Sequence, residues 1–191
     1  MIPLITLHQY KNSEGLTSPK EDVRTESLIG SVSQLVKTYC ATDFLDHFTT
    51  PKEEFHSLNW DTDAVQLREC PAVNITSLHE RIRGAEYILV DPSNYYLDTT
   101  TDTIYRTKQG YKHYFPKGNG SVKVSYTSGY SECPLDLQLA VSDLVTYYLK
   151  DEHKERRTLQ GASVQNAGSS VVQNSSFPDH IRRVLDLYKI Y

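Results

Sequence analysis

The stretch SVKVSYTSGYSECPLDLQLAVSDLVTYYLKDEHKERR, residues 121–157, changes its period halfway along. In SVKVSY, Val122, Val124 and Tyr126 alternate with polar neighbours, the two-residue period of a strand with one buried face. From Pro134 onward, Leu137, Val141, Leu144, Val145 and Tyr148 recur at three- and four-residue spacing, which predicts a helix over 134–157. Proline suits the first helical position, where no amide hydrogen is needed. Asp136 in the first turn and Lys154, Arg156 and Arg157 at the end oppose the helix dipole with the correct signs. Between the two periods, YTSGY reads as a turn in which Gly129 can take a positive φ. A strand feeding a long amphipathic helix needs both a sheet and a helical layer, so the class is α+β.

Working toward the N-terminus, Thr6 is placed to cap a short helix, TLHQYKN, which Gly15 and Pro19 end. A second helix is expected from Ser18, with Pro19 at its first position, to Cys40–Asp43; Leu28, Ile29, Val32, Leu35, Val36 and Tyr39 form its buried stripe. Residues 44–130 then show short alternating runs broken by Pro, Asn, Asp and Gly. The predicted strands are 53–58, 64–69, 72–80, 86–90, a pair around NYYLD and DTIYR, HYFP, and 121–126. DTTTD at 98–102 and GNG at 118–120 fall between strand-like runs, as hairpin loops do.

After residue 157 the composition turns to Gly, Ser, Asn and Gln, and 158–176 reads as a flexible linker. A last helix, DHIRRVLDLYKI, carries Ile181, Val184, Leu185 and Tyr188 on one side. A short helix is marginal alone in water, so this stripe must dock, either on its own domain or on a neighbour. The expected architecture is therefore a helical-bundle core with an inserted antiparallel β-module and a C-terminal tail helix. Its parts are a domain at 1–157 (helices 6–43 and 134–157, β-rich insertion 44–130), the linker 158–176, and a docking helix at 177–191.

Composition narrows the function. A net charge of −4 provides no cationic footprint for a phosphate backbone, which argues against tight DNA binding by the isolated chain. Fourteen tyrosines against five phenylalanines and one tryptophan suit half-buried and interface positions as well as strands. Cys40, Cys70 and Cys133 are odd in number and widely spaced, which implies free thiols and a reducing compartment. The opening MIPLITL has no basic leader and meets His8 and Lys11 too soon to span a bilayer, so neither export nor a membrane is expected.

Residues that carry chemistry do not assemble into a motif. None of the seven histidines stands four residues from another, and there is no nucleophile elbow, P-loop or zinc-binding helix. Asp43, Asp46 and His47 are close enough to suggest a metal, but acidic residues after a helix end are commonly solvated. Asp61 and Asp63 would pair with Glu53 or Glu54 as an acid–base couple only across a cleft, and the sequence indicates none. The expectation is no catalytic residue, no metal and no cofactor.

Four stretches together resemble the phage head-tail connector and head-completion family: PLITLHQYK with LIGSVSQLVKTYC, VQLRECPAVNITSL, the 121–157 segment, and DHIRRVLDLYKIY. Residues 44–60 and 91–117 match least. The resemblance implies a structural subunit of the virion neck, made in the host cytoplasm. It implies a homo-oligomer, a dodecameric ring, that joins portal protein to stopper or tail proteins. Viral DNA would pass through the ring without sequence-specific binding. On that reading the portal contact falls on the last helix, at Ile181, Arg182, Val184, Leu185 and Tyr188, because a helix laid in a groove uses that spacing. The alternatives are a tail-completion protein elsewhere in the neck, and a carbohydrate-active or carbohydrate-binding module in which Trp60, Tyr95, Tyr96 and nearby acids share a cleft.

Overall fold

The computed structural model describes residues 2–82, 85–150, 158–159, 162–163 and 177–190. The chain divides into two units: residues 1–42 with 133–191, and residues 43–132.

The first unit is helical. Its first helix, α1 (Leu7–Glu14), opens with a capping box in which the Thr6 hydroxyl accepts from the Gln9 amide at 3.2 Å. Gln9 Oε1 in turn accepts from the Thr6 amide at 2.7 Å. Gly15 closes it in the left-handed region at φ 65°, the conformation in which a glycine costs least. The second helix, α2 (Asp22–Cys40), starts four residues after the expected Ser18. The reason lies in α1: Lys11 Nζ bonds the Ser18 carbonyl at 3.0 Å and the Asp22 carboxylate at 2.8 Å, which holds 18–21 outside the helix. A third helix, α3 (Leu135–Leu149), places Leu137, Val141, Leu144 and Val145 at full burial, as its period requires. The expected continuation through 151–157 lies outside the described residues. So does most of the expected linker, of which Thr158–Leu159 pairs with Ala162–Ser163 as a short hairpin. The last helix, α4 (Asp179–Asp186), packs on α2 and α3.

The second unit is built of strands. In chain order they are β1 (Lys52–Leu58), β2 (Ala64–Gln66), β3 (Ala72–Glu80), β4 (Ile88–Leu89), β5 (Tyr95–Asp98), β6 (Thr103–Lys108), β7 (Tyr111–Lys112) and β8 (Gly118–Ser128). One antiparallel sheet has the order β1-β8-β3-β4; the other has β2-β6-β5, with β7 added to β6. Strand β8 sends Val122, Val124 and Tyr126 into a core shared with Leu78, Val65, Ile104 and Phe115, and leaves Lys123, Ser125 and Thr127 outside.

These two units correct the expected architecture. The class is α+β, but there is no helical-bundle core: among the described residues α1 and α4 have only eight residues each, and the strands hold a separate core of their own. The β-rich part, inserted in sequence between the helices, is a unit with its own core. Two local expectations also change. GNG at 118–120 is the first part of β8, paired to Leu58 across an irregularity that Gly118 (φ 143°) and Gly120 (φ 55°) allow. The true turn lies earlier, at Gln109–Gly110, both with positive φ between β6 and β7, and HYFP is not a strand.

Candidate interaction surfaces

The five residues expected to meet a portal are not on one exposed face. Ile181 and Leu185 are 1% and 0% exposed and face the helical core, while Arg182, Val184 and Tyr188 are partly exposed. Of the two docking alternatives, the helix takes the one on its own unit. Phe177 meets Tyr39 edge-on at 4.9 Å between centroids, the Ile190 amide donates to the Cys40 carbonyl at 3.0 Å, and the Tyr39 hydroxyl donates to Asp186. That last bond to a carboxylate, reinforced by burial, pushes the Tyr39 phenol up to about 12. Between Asp186 and Ile190 in sequence, the Tyr188 hydroxyl donates to Asp136 in the first turn of α3 at 2.7 Å.

Next to that bond the surface is apolar. Leu135 and Leu139, four residues apart on α3, are 82% and 63% exposed, and Leu187 beside Tyr188 is 78% exposed. Two leucines so exposed one helical turn apart on α3 are characteristic of a surface that another protein covers. The helical period predicts their outward position, because they fall off the Leu137–Val141–Leu144 stripe.

The acidic candidates are dispersed, and Asp43, Asp61, Asp63 and Glu53 each pair with a lysine. Asp43 lies 3.2 Å from His47 Nε2 and 3.4 Å from the Lys52 ammonium, which also bonds Glu69 at 2.8 Å. Burial opposes the charge on that ammonium, but the Glu69 and Asp43 carboxylates outweigh it and raise its pKa. Asp61 pairs with Lys117 at 3.0 Å, Asp63 with Lys112 at 2.9 Å and Glu53 with Lys123 at 2.8 Å. Glu54 instead turns inward, 7% exposed, and accepts from the Tyr126 hydroxyl and the Arg68 amide, with the His56 ring 3.4 Å away. Burial works to raise its pKa, but those contacts outweigh it and hold the carboxyl below its ordinary value. No group of three or more His, Cys, Asp or Glu side chains among the described residues is arranged to hold a metal ion.

The aromatic cleft does not form either. Tyr95 and Tyr96 are consecutive in β5 and so point to opposite faces. Tyr95 packs against the strand core, and Tyr96 stacks on Tyr105 across the outer face at 5.1 Å. The three thiols are free, and burial pushes each up to about 12, so none is poised as a nucleophile. No described helix is long and apolar enough to cross a membrane.

Comparison with known proteins bears on the whole chain. A head completion protein from Escherichia phage T5 is 25% identical over 192 residues, covering 97% of this chain and 98% of that protein. The fold is similar to that of a chain in the neck of an empty GTA particle computed with C6 symmetry, with a TM-score of 0.59 at 14% identity, covering 98% of this chain and 90% of that one. It is also similar to a chain in the neck of a native GTA particle computed with C12 symmetry, with a TM-score of 0.57 at 15% identity, covering 100% of this chain and 96% of that one. The family model for head completion proteins matches residues 3–191, and this chain belongs to that family.

Proposed function

We propose that this chain is a structural subunit of a virion neck, and that it closes the filled head by forming a ring between the portal and the stopper or tail proteins. The observation that carries this reading is the family match over residues 3–191. The likeness of fold to chains from particle necks computed with C6 and C12 symmetry supports a ring. A dodecamer is the finer form of the proposal, since twelve copies satisfy both symmetries.

Within the ring the chain acts by shape and not by chemistry. DNA passes without being read, and a net charge of −4 suits a wall that must not hold a phosphate backbone. The portal contact is proposed on α4, through the partly exposed Arg182, Val184 and Tyr188, with Ile181 and Leu185 anchoring the helix beneath them. Removing the chain from an assembling particle is expected to leave heads that package DNA but neither retain it nor join tails. Tailed, infectious particles made without it would overturn the proposal.

A further inference from the structure

The helical unit presents a second surface besides the leucines of α3. A groove of about 620 Å³ runs between the start of α2 and the end of α3. Val23, Leu28 and Tyr148 make its apolar lining, Ser27 is small, and Lys20 and Arg24 outnumber the single carboxylate, Glu21. Val23 is 85% exposed, an apolar side chain with nothing over it in one copy.

The leucine surface has the opposite character. Leu135 and Leu139 flank Asp136, and α3 carries no lysine or arginine anywhere between Leu135 and Leu149. One surface is apolar and acidic, the other apolar and basic. They belong to the same helix but to its opposite ends, thirteen residues apart, or roughly 20 Å at the α-helical rise. A copy therefore cannot fill its own groove with its own leucines. Two different complementary patches at separate places on one subunit define a head-to-tail contact, and such a contact builds a ring when the rotation between copies closes.

We propose that Leu135 and Leu139 of one copy seat in the α2–α3 groove of the next, with Asp136 facing Lys20 and Arg24. The inference rests on the neck-ring reading and names the surface that builds the ring. The same-copy hydrogen bond from Tyr188 orients Asp136. Charge complementarity sets the register of the pair and the leucines supply the apolar contact.

The test uses particles assembled with the full chain carrying both Leu139→Cys and Ser27→Cys, treated with a short bismaleimide. The expected result is a ladder of covalent oligomers beyond the dimer, absent from either single variant and from the parent chain with its three native thiols. No ladder from a chain that is present in the neck would overturn the inference and leave the neck-ring reading standing. A parent chain absent from the neck would overturn that reading itself. Should the cysteines prevent incorporation, Asp136→Lys and Arg24→Glu decide: each alone is expected to cut incorporation at least tenfold, and the two in one chain to restore it. Failure of the double variant to restore it would equally overturn the inference.

Discussion

Gly129 is the residue at which the β-unit tolerates least change. Its φ is 88°, and a Cβ there would lie 1.9 Å from the Phe44 carbonyl oxygen, which the Tyr130 amide already engages at 2.8 Å. Gly129→Ala adds a left-handed strain of about 1–3 kcal/mol to a clash that only backbone movement relieves. A large drop in the urea midpoint is expected, and an unchanged midpoint would refute the assigned geometry. Tyr126 is the second such residue: it accepts from the Glu69 amide at 3.0 Å and donates to Glu54 Oε1, so Tyr126→Phe removes a partner from the buried amide and from one carboxylate oxygen. A loss of about 1–3 kcal/mol follows, read by the same denaturation. Glu54 also gives the unit a pH dependence. Its folded pKa lies below the unfolded value of about 4.3, so its contribution is present above that pH and disappears as pH falls through the folded value. Glu54→Gln should flatten the acid limb of the stability curve, and an unaltered limb would assign it to other carboxylates. The turn glycine could be read from YTSGY in the sequence. The partners of Glu54 could not, because Arg68, His56 and Tyr126 meet only through strand pairing.

At the scale of elements, α4 shows why periodicity finds a face but not what covers it. The spacing of Ile181, Leu185 and Tyr188 was legible, and the short helix had to dock; the sequence left open whether the cover was α2 and α3 or another protein. Phe177, Ile181 and Leu185, all at most 5% exposed, are integral to the helical core. Ile181→Ala or Leu185→Ala should cost about 2–5 kcal/mol, measured by thermal or urea unfolding of the free subunit. Truncation before residue 177 should for the same reason destabilise the helical unit and not merely remove a binding site. A truncated chain that melts like the full one would show that α4 is not part of this core. The helices were the most legible elements because their stripes span many turns. Strand β7 was the least legible: it has two residues, and its signal was the Gln109–Gly110 turn and not any alternation.

For the whole molecule, the sequence carried the α+β class and the family resemblance, but it missed that the strands hold a core of their own in addition to that of the helices. Long helical periods at 18–40 and 134–157 suggested a bundle, whereas strands far apart in the chain jointly bury Val122, Val124, Tyr126, Leu78 and Ile104 completely. A core assembled through pairing of strands distant in sequence shows in no single run of residues. The account of function rests on the head completion family and on a subunit whose two α3 surfaces differ in kind. It is tested most directly by cryo-electron microscopy of the neck of a particle assembled with this chain. The account predicts a closed ring of copies of this fold directly beneath the portal, with α3 at every contact between neighbours. A neck without this chain, or with isolated copies that touch no other copy, would contradict it.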